Sequence, residues 1–289
     1  FSLKILYIIH LCLLSLCSLF LFLICKTQFK ELKSPFLSLV WFSLFIIIYH
    51  ENSLFGGVAG QDVINEGYQP ASFGVLFFVA IYLFLINKNF FSILFICLAA
   101  SFHPTYVLHS GFLMLGISSY YIFKKEYVQI FKISIIYSIL ILPITLYIIL
   151  NFFFLDKNLI LEGQKILLDR AVHHAVIQSW FSYKDFLSIL IYLISLIIIY
   201  KEKKFFIPFF VFGFMSIIFS LIQFFLENNT LALSFPWRTS VFLVPISTMI
   251  IISFFIQNFF DKKKYIKVLS IILIFLSVSI FSAKNHFIE

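Results

Sequence analysis

Residues 133–154 read ISIIYSILILPITLYIILNFFF. The stretch holds no charged side chain. About 20 apolar residues are what a helix needs to cross the hydrocarbon core of a bilayer. Lipid offers no partner to a free backbone amide, so only helices and closed barrels are stable there. A barrel strand would alternate apolar and polar residues with period two, and this run is continuous. It is therefore a spanning helix, and the sequence on either side has the same character.

Across all 289 residues, hydrophobic side chains make up 62%, charged ones 12%, and mean hydropathy is +1.06. A soluble domain is roughly a quarter charged, so too few polar residues remain here to coat a water-facing surface. The class is all-α, a polytopic transmembrane helical bundle. A net charge of +8 would suit a nucleic-acid binder, but the charges lie in short clusters between apolar runs. No nucleic acid is expected as a partner; the bilayer is. Cys12, Cys17, Cys25 and Cys97 all sit inside apolar runs and form no CxxC pair, so they read as small apolar fillers.

Apolar runs at 5–25, 36–49, 71–86, 90–103, 106–123, 133–154, 186–200, 205–226, 239–260 and 266–283 predict about ten spans. The shorter ones need tilt, local thinning or burial among neighbours. With the loops alternated, one set holds Lys26, Lys30, Lys33, Lys88, Lys124, Lys125, Lys132, Lys201, Lys203, Lys204, Lys262, Lys263, Lys264 and Lys267 against Glu31, Glu126, Glu202 and Asp261. The other set is slightly acidic. Cytoplasmic loops carry the excess of Lys and Arg, so the Lys-rich set faces the cytoplasm. The longer loops 50–70, 155–185 and 227–238 then lie outside, where any chemistry must be. No linker divides the chain, so 1–289 reads as one domain. It begins at Phe1 and enters an apolar run at once, which reads as a piece lacking its natural start.

Four polar constellations stand out. Loop 50–70 gathers Glu51, Asp62 and Glu66 around Gly56, Gly57 and Gly60. It reads either as a solvated acidic loop or as a source of a general base for a sugar hydroxyl. Between two apolar runs lies Ser101-Phe102-His103-Pro104-Thr105-Tyr106, followed by His109. Proline ends one helix and suits the first turn of the next, which makes a short helix hairpin. His103 is either a hydrogen-bonded interface residue or a group that binds phosphate or carries a proton, since imidazole at membrane depth needs a partner.

Segment 158–181 places Glu162, Lys165, Asp169, Arg170, His173 and His174 in one stripe at helical spacing, with Leu161, Leu168 and Val172 mostly opposite. This predicts an amphipathic helix in the outer interface. Asp169 and His173 share a face, but two ligands are too few for a metal without Glu51 or Asp62. No cofactor is expected, and a divalent metal stays open. Last comes Ser234-Phe235-Pro236-Trp237-Arg238-Thr239-Ser240. The chain has only two arginines, Arg170 and Arg238, among its 21 basic residues. Both fall in outer loops, against the inward bias of positive charge. A guanidinium grips two oxygens of a phosphate or carboxylate in a planar fork that lysine cannot copy. The alternative is that Arg238 snorkels beside Trp237.

The order of motifs at Gly56 to Gln61, Tyr68 to Gly74, His103 to Tyr106 and Pro236 to Pro245 resembles a group of uncharacterised polytopic bacterial membrane proteins. The general architecture is similar to GT-C-type glycosyltransferases and, more loosely, to polysaccharide polymerases and O-antigen ligases. The resemblance implies a multi-pass protein of the bacterial cytoplasmic (inner) membrane. It implies a polyprenyl-phosphate-linked sugar donor used at the outer face in cell-envelope glycan assembly. Arg238, Arg170, His173, His174 and Trp237 would then hold the donor phosphate, and Asp62, Glu51, Glu66 and His103 would be catalytic. Two other readings are a transporter or flippase of an anionic lipid or sugar, and a non-catalytic assembly subunit.

Overall fold

The computed structural model describes residues 3–49, 52–64, 69–153, 156–170, 172, 177–226 and 229–260. Its long elements are helices: α1 (Leu3–Gln28), α2 (Pro35–Tyr49), α3 (Leu76–Leu85), α4 (Asn89–Phe102), α5 (Tyr106–Phe123), α6 (Tyr127–Ile148), α7 (Lys157–Arg170), α8 (Tyr183–Ile199), α9 (Lys203–Leu226) and α10 (Ser240–Phe255). No strand occurs among the described residues. The all-helical, multi-pass membrane reading therefore stands.

The expected number of spans does not. Among the described residues, five helices are long and apolar enough to cross a bilayer: Lys4–Gln28, Tyr106–Phe123, Tyr127–Asn151, Lys203–Leu226 and Leu231–Asn258. Pro35–Tyr49, Pro70–Leu85 and Asn89–Phe102 are apolar but shorter. The fourteen residues of α4 reach only about 21 Å at ~1.5 Å per residue, against a hydrocarbon core of ~30 Å. Hydropathy alone overcounts because it ignores where a helix stops. Phe102 is cut off by extended His103 and by Pro104, and a 3-10 stretch Pro70–Val75 precedes α3. The expected span 266–283 lies outside the described residues.

Chain direction sorts the loops into two ends. At one end, Lys204 Nζ on α9 donates to Leu85 O and to Asn87 Oδ1, 2.6 Å each, which ties the α8–α9 turn to the α3–α4 turn. At the other end, loop 57–61, the His103 turn and the segment before α10 meet. The packing partners are α5 with α9, α3 with α4, α8 with α10, and α4 with α6. The segment Leu231–Asn258, which contains α10, is central, with 72% of its apolar window buried, against 11% for the segment containing α6.

Close approach is bought with small residues, as usual between helices in lipid. A Cβ on Gly116 of α5 would come within 2.6 Å of Pro208 O on α9. One on Gly213 of α9 would strike the Tyr192 ring of α8, whose hydroxyl donates to Phe209 O and Phe210 O. At the centre Phe77, Tyr106, Phe212 and Phe242 are wholly buried. Their rings interlock, with centroids 4.6 Å apart for Phe77–Phe242 and 5.5 Å for Tyr106–Phe242. Cys17, Cys25 and Cys97 are buried and Cys12 is exposed, all as free thiols. The filler reading therefore suits three of the four.

Loop 57–61 is held by three devices. Asp185, only 5% exposed, accepts from Ala59 N–H at 2.8 Å and, through its other oxygen, from Ser182 N–H and Oγ–H at 2.7 and 2.6 Å. Ser182 and Asp185 form a capping box at the start of α8. Ser240 Oγ, at the start of α10, accepts from Val58 N–H at 2.9 Å. Gly57 is needed there, because a Cβ would sit 2.6 Å from Ser240 Oγ and 2.7 Å from Val241 N. Ala59 and Gly60 then turn the loop with φ of 60° each.

Asp185→Ala would remove the carboxylate that clasps buried Ala59 to the start of α8, while the exposed Ser182 can turn to water. It should cost about 1–3 kcal/mol of stability, the scale of losing one buried acceptor. Lys184→Ala, on an exposed neighbour, should stay within about 0.5 kcal/mol. Thermal or detergent denaturation of the purified pair measures the difference.

Candidate functional site

The site is built on the 3-10 turn Pro236–Thr239 that leads into α10. The turn begins from Phe235 in the left-handed region, φ 49° and ψ 59°. This is a conformation that bulky residues rarely adopt and that persists only where surroundings enforce it. Here Pro236 O accepts from Ser216 Oγ–H on α9 at 2.7 Å and from Thr239 Oγ1–H at 3.0 Å. Phe235 O accepts from Arg238 N–H at 2.8 Å. Arg238 is thereby aimed at the start of α5.

The Arg238 guanidinium lies over the Tyr106 ring, its carbon 5.7 Å from the centroid. Its Nε is buried with no hydrogen-bond partner. No carboxylate among the described residues pairs with it. Tyr106 is wholly buried and donates its hydroxyl to Ala71 O at 2.6 Å. Gly74 makes room for it, because a Cβ there would meet that hydroxyl oxygen at 2.6 Å. His103 and His109 flank the Tyr106 ring at centroid distances of 5.2 and 5.8 Å.

His103 Nδ1 shares a hydrogen bond with Thr105 Oγ1 at 2.7 Å. Burial, reinforced by the Arg238 charge, lowers its imidazole to about 4. His103 is thus neutral at pH 7 and accepts or donates hydrogen bonds without adding a positive charge. His109 Nδ1 lies 2.8 Å from Thr105 O, and a carbonyl only accepts, so Nδ1 carries the proton.

Of the other expected charged site residues, Asp62 and Arg170 are among those described. Asp62 directly follows loop 57–61 and is half-buried, and burial alone pushes its carboxyl up to about 6. Among the described residues no hydrogen bond or ion pair couples it to Arg238. Arg170 ends α7 with its side chain exposed. Although α7 packs against the turn Asn229–Leu233 that precedes the site, Arg170 makes no hydrogen bond or ion pair among the described residues. Glu51, Glu66, His173 and His174 lie outside the described residues.

Of segment 158–181, the described residues are helical over Lys157–Arg170 in α7, at Val172 and over Ile177–Trp180. Leu159, Leu161 and Ile166 of α7 are exposed, as are Glu162, Lys165 and Asp169. Among the described residues no group of three His, Cys, Asp or Glu is placed to hold a metal ion.

Trp237 points away from Arg238's neighbours. It is 3% exposed and packs on Trp180, centroids 5.4 Å apart. Both rings line an apolar cavity of about 550 Å³ among α8, α9 and α10, with walls that include Tyr192, Gly213, Ser220 and Leu243. Val58 of the clasped loop also borders it. The volume is that of a small-molecule site, ~300–1,000 Å³.

Sequence alone assigns Tyr106 and Asp185 no role at the site, and Trp180 only that of a ring at the membrane boundary. Asp185 was readable, since Ser182-Tyr183-Lys184-Asp185 is a helix-start signature. The other two become visible only through packing.

No protein-family model, no curated protein and no solved structure matches the chain.

Two titrations should pull stability in opposite directions. Asp62 binds its proton more tightly folded than unfolded, so it makes stability fall as pH rises from about 4 to about 6. His103 binds its proton less tightly folded, so it makes stability rise between about 4 and its ordinary 6.5. Thermal midpoints measured from pH 4 to 7 should therefore slope more steeply upward in Asp62→Asn and less so in His103→Gln. Slopes unchanged from the parent in both variants would refute the two burial shifts.

Proposed function

We propose that the chain is a membrane glycosyltransferase-like protein that uses a polyprenyl-phosphate-linked sugar at the extracytoplasmic face, in cell-envelope glycan assembly. The observation that carries this reading is Arg238. Its guanidinium is half-buried, free of any described carboxylate, and held by a strained turn at the end of the bundle opposite the Lys204 contact. A fixed, uncompensated guanidinium in a partly dry setting is suited to a phosphate, and more so to one gaining charge as a leaving group.

The proposed transfer is a displacement at the sugar's anomeric carbon. The acceptor hydroxyl oxygen bonds to that carbon while the bond to the phosphate oxygen breaks, and the electron pair leaves with the phosphate. Arg238 stabilises the departing charge. The acceptor's proton passes to a carboxylate of the outer loop. Asp62 is favoured because burial raises it to about 6, near the poise a base needs at neutral pH; Glu51 and Glu66 belong to the same stretch. Neutral His103 serves as a hydrogen-bond partner or proton carrier. Arg170, His173 and His174 would extend the anion site if α7 turns toward the donor. The bacterial inner membrane is the proposed location.

The flippase reading is weaker. Among the described residues Asp185 is the only charged side chain buried, and backbone and hydroxyl donors occupy it. No charged path through the described spans supports an ion-coupled carrier. Nothing favours a non-catalytic assembly role.

Arg238→Lys should reduce sugar transfer from a polyprenyl-phosphate donor in proteoliposomes by about 100-fold, the scale for losing one oriented charge-stabilising donor. Lys201→Ala, on the opposite end, should leave it within about twofold. Equal tolerance of both changes would remove the reading's support.

A further inference from the structure

His109 is a buried histidine that the proposed transfer does not use. Its side chain is wholly enclosed, with the rings of Tyr106, Phe112 and Phe242 around it. One ring nitrogen is accounted for, since Nδ1–H donates to Thr105 O at 2.8 Å. A neutral imidazole with its proton on Nδ1 offers only a lone pair at Nε2. That Nε2 is buried and has no hydrogen-bond partner. An acceptor left empty among aromatic rings is costly, and an apolar side chain would fill the same space without that cost.

The donor that complements it is on the turn Pro236–Thr239, against which α5 packs. Phe235 O and the Arg238 charge are both near the imidazole. Phe235 O is already filled by Arg238 N–H at 2.8 Å. What remains is Arg238 Nε–H, buried like Nε2 and equally without a partner. Trp237 Nε1–H is the other orphaned donor of the turn, but its ring packs on Trp180. We infer that His109 is the positioning residue of Arg238: its Nε2 accepts Nε–H as the guanidinium settles onto a phosphate, which leaves the two Nη groups to grip the phosphate oxygens end-on. The inference rests on the reading of Arg238 as a phosphate site. It adds which edge of the guanidinium is used and what orients it. A neutral acceptor suits the task, because it fixes the group without cancelling the charge that a phosphate needs, as a carboxylate would.

The test uses two amides that each copy one nitrogen of imidazole. Glutamine places its terminal amide near the Nε2 position, so His109→Gln keeps an acceptor for Arg238 and gives up the Thr105 bond. Asparagine places its amide near Nδ1, so His109→Asn keeps the Thr105 bond and offers Arg238 nothing. The full chain is held in nanodiscs of phosphatidylethanolamine and phosphatidylglycerol. The probe is farnesyl phosphate, with farnesol as the uncharged control. His109→Asn should weaken farnesyl phosphate binding about tenfold, the scale of one hydrogen bond to a charged group, and leave farnesol unchanged. His109→Gln should stay within about threefold of the parent. A residue that only caps the start of α5 gives the reverse order.

If either variant does not fold, nitrogen-15 NMR of the histidine-labelled parent decides. The His109 Nε2 resonance should be of the unprotonated type and should move toward the hydrogen-bonded range when farnesyl phosphate is added, but not in Arg238→Lys. An Nε2 that carries the proton, or one unmoved by saturating farnesyl phosphate, would overturn the inference. So would the reverse order of the two amides, or equal losses in both. The two readings fail separately. If the parent prefers farnesyl phosphate to farnesol and Arg238→Lys abolishes that preference, while His109→Asn binds as well as His109→Gln, the phosphate site survives and the positioning role fails. If the parent shows no such preference, the phosphate reading fails and the positioning role falls with it.

Discussion

A single buried carboxylate organises the polar end of this bundle. Among the described residues no cation pairs with Asp185; three donors from Ala59 and Ser182 take that place. Such a group is stable away from water only when its oxygens are filled, and here filling them fastens a loop to the start of a helix. The same loop is fastened to the next helix start by Val58 and Ser240. Two helix N-termini are thereby set side by side, and the turn carrying Trp237 and Arg238 runs directly into one of them. The cavity wall and the guanidinium inherit their positions from this clasp.

Around the clasp the helices are held by shape. Lipid supplies no hydrophobic drive between them, so contact depends on close approach and on interlocking rings. Gly116 against Pro208, and Gly213 against Tyr192, let α9 sit between α5 and α8. Phe77, Phe212 and Phe242 fill the centre around Tyr106. Where the short helix α4 stops, Phe73 stacks on Phe102 with centroids 3.8 Å apart.

The helical membrane class could be read from composition, and the His-Pro-Thr hairpin from proline chemistry. The number of spans could not, because a hydropathy run does not reveal a 3-10 stretch such as Pro70–Val75 or an extended residue such as His103. Arg238 was legible through the chain's avoidance of arginine. Its neighbours were not: Tyr106 is more than a hundred residues away in sequence, and the contact arises from the α5–α9 packing that also seats the turn. Trp237 was grouped with Arg238 because they are adjacent, yet a 3-10 turn sends consecutive side chains in different directions, and the indole went to the cavity. Asp62 and Arg170 were marked by charge type alone, and the sequence could not show that Asp62 is half-buried and Arg170 exposed at the end of α7.

The free thiols have a practical consequence. Cys17, Cys25 and Cys97 are enclosed by protein, and Cys12, the exposed one, is on an apolar helix face where a thiolate would find no water. A hydrophilic maleimide should therefore find almost no native background. Single reporters placed one loop at a time could map sidedness in intact cells without first stripping the molecule of its own sulfur.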